Sequence, residues 1–235
     1  MDELIDVSIV GEPVVYGAGF IALLLVVFAQ QWAGSFVTIV HEGGHMVMAV
    51  LTFRGFSSWS MKDGNNAGTI VDDGSWGVGD LIVSIAGYLS PPLVGLGLAA
   101  VVASGNAWGG LAITLLLLVL SFLYARGGLA ILMTSLFAVG VALVLWRGSE
   151  ILQLTVAAGA VWVLLIGGVR SAFRMELKGT SDAYFMMRGT LIPRTVWKLF
   201  WITVALVCLY AGGRLLLVGD AWPDGVWPFD VPAEA

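Results

Sequence analysis

Apolar residues in this chain run in long blocks rather than alternating with polar ones. Seven blocks approach the roughly 20 residues that a helix needs to cross a hydrocarbon layer. They lie at about 14–33, 36–53, 81–103, 108–125, 127–146, 150–169 and 196–218. The second is short, and 108–146 can also be read as one bent, unevenly buried hairpin. Trp32, Trp59, Trp76, Trp108, Trp146, Trp197 and Trp222 fall near block ends, where indoles favour the lipid–water interface. Trp162 lies mid-block and reads as a core residue. The polar segment 54–80 mixes Gly, Asn and Asp with short β-type runs, which predicts turns joining short strands. Within it, Asn65 or Asn66 is placed either to clamp an extended backbone or to shape a turn, the commoner use. The tail 219–235 holds three prolines and predicts an irregular segment. The fold expected is an all-α polytopic membrane protein. It is one domain over 1–235, with about seven transmembrane helices and a small membrane-associated β-type insert at 54–80.

Charge gives this bundle an orientation. Segment 170–198 carries six of the eleven basic residues, and no Lys or Arg follows Arg214. The positive-inside rule then makes 170–198 cytoplasmic and the C-terminal tail external, and seven spans put the N-terminus inside. The first residues are acidic and lack Lys and Arg, so the first block reads as a retained span rather than a cleaved leader. Composition agrees: 59% of residues are hydrophobic and 11% charged, against about 25% charged in a soluble domain. Such a chain cannot coat a soluble surface, and a net charge of −5 does not suit a nucleic-acid binder. The partners expected are the lipid bilayer and other membrane proteins, with no nucleic acid, and the location is the cell membrane as a multi-pass protein. The single cysteine, Cys208, excludes an internal disulfide.

The chemistry is concentrated in one place. The only two histidines, His41 and His45, stand four apart in the apolar run FVTIVHEGGHMVMAV, with Glu42 between them. On a helix, i and i+4 share a face, so both imidazoles can bind one metal ion while Glu42 serves water as a general base. A carboxylate amid apolar flanks costs roughly 2.5–3.5 kcal/mol at the centre of a span and needs a compensating role. Gly43 and Gly44 each cost about 1 kcal/mol relative to Ala in a helix, which implies close approach of another backbone. A catalytic zinc takes three protein ligands, and there is no third histidine. The acids Asp63, Asp72, Asp73, Asp80, Asp182, Glu176 and Glu150 are candidates. Asp182 is distinctive as an acid in a semi-apolar stretch among basic neighbours, although Ser181-Asp182 also makes a good helix N-cap. The motif helix ends near Arg54, on the same face as 170–198. For Asp182 to meet the histidines, part of 176–190 must dip inward as a re-entrant stretch or a short helix within the bundle.

HEGGH in an early hydrophobic helix resembles the site-2 protease family of intramembrane zinc metallopeptidases, in its compact bacterial branch without a PDZ domain. GNNAGTIV (64–71) is similar to that family's membrane-associated β region. AGYLSPPLVG (86–95) is similar to its following small-residue helix, and TSDAYFMM (180–187) with TLIPRTVW (190–197) to its downstream segment. The resemblance implies zinc (Zn2+) held by His41, His45 and Asp182, Glu42 as catalytic base, and cleavage of membrane-protein substrates in or near their transmembrane segments. One departure is that Asp182 is followed by Ala183 where the better-known members have glycine. A metal-binding membrane scaffold or transporter without hydrolysis is the alternative, and such a protein has no need of Glu42. Haem and desaturase readings fail because two histidines on one helix face are too few or wrongly placed. A serine-protease reading fails because both histidines are already in one motif.

Overall fold

A computed structural model describes residues 11–64, 66–71, 77–177, 179 and 181–219. Among these the order is α1 (Pro13–Phe28), α2 (Gln30–Leu51), β1 (Phe56–Asp63), β2 (Asn66–Val71), α3 (Val78–Ala103), α4 (Ala107–Tyr124), β3 (Ala125–Arg126), α5 (Gly128–Arg147), α6 (Glu150–Arg174), α7 (Asp182–Thr190) and α8 (Arg194–Leu217). Asp72, Asp73, Asn65, Trp76, Trp222 and the tail from 220 fall outside the described residues.

Helices α3, α4, α5, α6 and α8 are each long and apolar enough to cross a membrane. Helices α1 and α2 qualify only as a pair bent by 100°, so the crossings number five, or six with the pair taken as one. The expected count of seven had treated these two blocks as separate spans. The 16 residues of α1 reach only about 24 Å, short of a hydrocarbon layer about 30 Å thick. The chain breaks at Ala29 (φ −114°, ψ 50°), just before the polar pair Gln30-Gln31. Gly11 N–H donates to the Leu216 carbonyl at 3.1 Å, which sets the start of α1 beside the end of α8. Reporter fusions ahead of α1 and after α8 are therefore expected to report one side of the membrane, opposite to a fusion in the 175–181 loop. Opposite readings from the two ends would restore an odd number of crossings and an internal N-terminus.

Helix α2 is the hub of the fold. It packs on α3, on α6 and on the hairpin. Gly44 permits the α3 contact, since a Cβ there would collide with the Ser90 side chain and lie 2.9 Å from the Ala86 carbonyl oxygen. Gly43 meets only Ser121 Oγ at 3.7 Å and has room for a side chain. The end of α2 closes with Phe53 in the left-handed region (φ 55°) and Arg54 N–H bonded to the Ala49 carbonyl. Arg54 then pairs with Asp80, whose carboxylate also accepts the Gly77 N–H at 2.8 Å and caps α3. Asp80 is thus committed to joining α2 and α3.

The insert at 54–80 forms an antiparallel hairpin, and the strand order is β2-β1-β3 with β3 parallel to β1. The hairpin lies along α2. Thr38 Oγ1 donates to the Gly64 carbonyl at 3.0 Å, and a Cβ on Gly64 would come within 2.8 Å of the Gln31 carbonyl oxygen. Trp59, expected at the interface, is instead fully buried in β1 and donates Nε1–H to the Ser121 carbonyl of α4 at 2.8 Å. Its side chain fastens the hairpin inside the bundle. Trp32, Trp108 and Trp146 are exposed as expected. Trp162 is in the core, bonded to the Val15 carbonyl at 3.2 Å.

Candidate metal centre

Three elements converge on one cavity of about 710 Å³. From α2 come His41, Glu42 and His45, with the two histidines one turn apart on a face, as their spacing requires. From the segment after α6 comes Asp182, the first residue of α7. From the hairpin comes β2, whose Ala67, Gly68 and Thr69 form one wall.

The short helix α7 is the inward dip that Asp182 requires. Its Ala183 and Met186 are buried against Ala172, Met175, Trp201 and Ile202, while Asp182 and Phe185, also three apart, face the cavity. Leu191 (φ 62°) ends α7, and Pro193 starts α8. Arg194 holds the incoming loop. Its guanidinium donates to the Leu177 and Gly179 carbonyls and stacks over Tyr184 at 4.7 Å. Ser181 is the N-cap residue of α7 but its side chain makes no capping bond, and Asp182 is the acid of the first turn. The buried Oγ of Ser181 has no hydrogen-bond partner among the described residues.

The donor atoms form a compact triangle. His45 Nε2 lies 3.1 Å from His41 Nε2, and Asp182 Oδ2 lies 3.3 Å from His41 Nε2 and 3.5 Å from His45 Nε2. A tetrahedral zinc with ligands at 2.0–2.2 Å needs donor atoms roughly 3.3–3.6 Å apart. The three residues therefore fit a divalent metal in both chemistry and spacing. His45 is fixed by its other nitrogen, since Nδ1 lies 2.8 Å from the Val83 carbonyl, an acceptor only. Nδ1 must carry the proton, which leaves the Nε2 lone pair directed at the site. The edge of Tyr88 packs on His41, with ring centroids 4.6 Å apart.

Glu42 sits one residue round the helix from His41 and is only 3% exposed. It lines the cavity but does not join the donor triangle. Thr69 Oγ1 donates to Glu42 Oε2 at 2.6 Å, so the hairpin positions this carboxylate. The other candidate acids stand elsewhere. Glu150 is exposed in the first turn of α6, Asp63 closes β1, and Glu176 is exposed on the cavity rim. Cys208 is buried in α8.

Several site residues carried no recognisable signal. Gly87 of α3 is the clearest. A Cβ there would point into both imidazoles, 2.7 Å from His41 Nε2 and closer still to His45. Glycine is an ambiguous letter in a small-residue helix, and only the packing of α3 on α2 shows what this one is for. Thr69 was hidden in a run of strand residues, and the Val83 carbonyl is backbone.

No curated protein and no solved structure matches the chain. A family model does match, over residues 14–212, from the start of α1 into α8, a span that takes in the whole metal centre. The resemblance carried by HEGGH and the downstream segments is thereby borne out at the level of the family, and this integral membrane protein belongs to the Peptidase M50B-like family.

Proposed function

We propose that the protein is a zinc-dependent intramembrane endopeptidase acting on membrane-protein substrates. The observation that carries this reading is the donor triangle of His41, His45 and Asp182, with the Glu42 carboxylate in the same cavity. The two imidazoles and the Asp182 carboxylate would hold the zinc, which when bound polarises both a water molecule and a peptide carbonyl. Glu42 takes a proton from the attacking water at its carboxylate and returns a proton to the leaving amide nitrogen. Thr69 keeps that carboxylate turned to the cavity.

A transmembrane helix hides its peptide carbonyls in its own hydrogen bonds, so the substrate has to be unwound before attack. Strand β2 is well placed to receive it. It is an edge strand of the sheet, it walls the cavity, and its Thr69 touches Glu42. An extended substrate segment added to such an edge would gain main-chain hydrogen bonds in place of its helical ones.

The test is metal content read beside cleavage. Purified protein should carry about one zinc per chain, held by a tetrahedral three-ligand site. Asp182→Ala should lose most of that zinc together with cleavage of a transmembrane substrate. Loss of a helix cap would cost only about 1 kcal/mol of stability and leave the metal in place. Full zinc occupancy in Asp182→Ala would remove Asp182 from the site. Cleavage that persists in zinc-free protein would end the metallopeptidase reading.

A further inference from the structure

Gly167, Arg170, Ser171 and Arg174 recur at i, i+3, i+4 and i+7 on α6, and all four line the cavity. One face of this helix is therefore turned toward the metal centre. The stripe opens at Gly167, where a Cβ would press on Val37 of α2, and becomes cationic toward the end of the helix. Arg170 and Arg174 are one turn apart and repel each other. Neither makes a hydrogen bond or ion pair with a described residue. Other basic side chains nearby are occupied: Arg54 by Asp80, Arg194 by two carbonyls, and Lys198 by the Met175 carbonyl at 2.9 Å. Among the described residues, the acids of the cavity do not neutralise the pair: Asp182 faces the imidazoles, Glu42 accepts from Thr69, and Glu176 stands exposed without an ion pair to a described residue.

We propose that Arg170 and Arg174 form an anion subsite that accepts an acidic side chain of the peptide substrate, close to the bond to be cleaved. This rests on the peptidase reading above. From Gly167 to Arg174 the stripe runs about 10 Å along the helix, the length of roughly three extended residues. Because the pair and the metal ligands line one cavity, the acidic residue and the cleaved bond belong to one short stretch of the substrate. The pair belongs to the basic segment that the positive-inside rule makes cytoplasmic, and ordinary spans carry Lys or Arg on that flank. Two guanidiniums without an ion-pair partner among the described residues repel such flanks and admit a span with an acidic one, so the selection works by exclusion as well as attraction. Bulk lipid headgroups are the competing anion. The stripe shares its cavity with His41, His45 and β2, which favours a peptide.

The experiment separates binding from turnover. Glu42→Gln protein in phosphatidylcholine nanodiscs is titrated with fluorescent single-span peptides that differ at one cytoplasmic juxtamembrane position, Glu, Gln or Lys. Wild-type protein is assayed for cleavage of the same three. The Glu peptide should bind about tenfold more tightly than the Lys peptide. Adding Arg170→Gln and Arg174→Gln should bring that ratio near one. Arg170→Glu with Arg174→Glu should invert it, and the paired Lys replacements should retain it. An absent preference in the Glu42→Gln protein, or a preference indifferent to the arginine substitutions, overturns the subsite. Affinities blind to the flank but rising with added phosphatidylglycerol would assign the pair to lipid and overturn it equally. If the preference is present and wild-type protein cleaves none of the three, the subsite stands and the peptidase reading fails.

Discussion

Glu42→Gln is expected to keep the fold and the zinc and to lower the rate of cleavage by about two to four orders of magnitude, the usual contribution of a positioned general base. The amide has nearly the size of the carboxylate, and its oxygen can still accept the Thr69 hydroxyl that now bonds Oε2 at 2.6 Å. The donor triangle does not include Glu42, so His41, His45 and Asp182 should retain the metal. What the amide cannot do is accept a proton from water. Single-turnover cleavage read beside zinc content checks both halves of the expectation. Near wild-type cleavage by Glu42→Gln would eliminate the base mechanism. A metal-binding scaffold or transporter would be indifferent to the change in its own activity, because nothing in metal retention asks for a base at this position. The same substitution therefore separates the two classes of function left open by the sequence.

Residues that act through local spacing were legible in the sequence. His41 and His45 declare themselves by a four-residue interval on a helix. The hairpin at 56–71 is announced by the Gly and Asn between two β-type runs. Asp182 was legible as an acid with no good reason to sit where it does, although only the structure, which puts Ser181 at the N-cap position without a capping bond, brings the Asp182 carboxylate to the two imidazoles. Features produced by packing between distant segments were not legible. The 100° bend between α1 and α2 occurs at Ala29 without Pro or Gly, and only the polar pair Gln30-Gln31 interrupts the apolar run. Trp59 sits near the end of an apolar block but is drawn inside, because the hairpin lies against α2 and α4 rather than at the lipid surface. Val83 offers a carbonyl to His45 that any residue type would offer. Such contacts leave no mark in composition or periodicity, and they appear only when α3 is placed against α2.

Gly87→Ala should abolish the metal centre, although one methyl group in a helix ordinarily stabilises. Replacing a helical glycine by alanine is favourable by about 1 kcal/mol where space allows. At Gly87 there is no space. The added carbon would lie 2.7 Å from His41 Nε2 and closer to the His45 ring, distances at which something has to move. Neither ring has a cheap way out. His45 is tethered by Nδ1 to the Val83 carbonyl, and His41 is packed against the edge of Tyr88. Nor can α3 draw back freely, because its next turn is in contact with α2 through Gly44 and Ser90. The displaced atoms are the Nε2 donors, so the loss should fall on zinc affinity, and by at least the tenfold to hundredfold that misorienting a metal ligand typically costs. Gly97→Ala is the matched control: it lies on the same helix, and no atom comes within 4 Å of its added carbon. The expected result is that Gly97→Ala keeps zinc and cleavage with an unchanged or higher Tm, while Gly87→Ala loses both zinc and cleavage. Equal zinc content in the two variants would mean that the imidazoles yield to the methyl group, and that Gly87 does not hold the space between them.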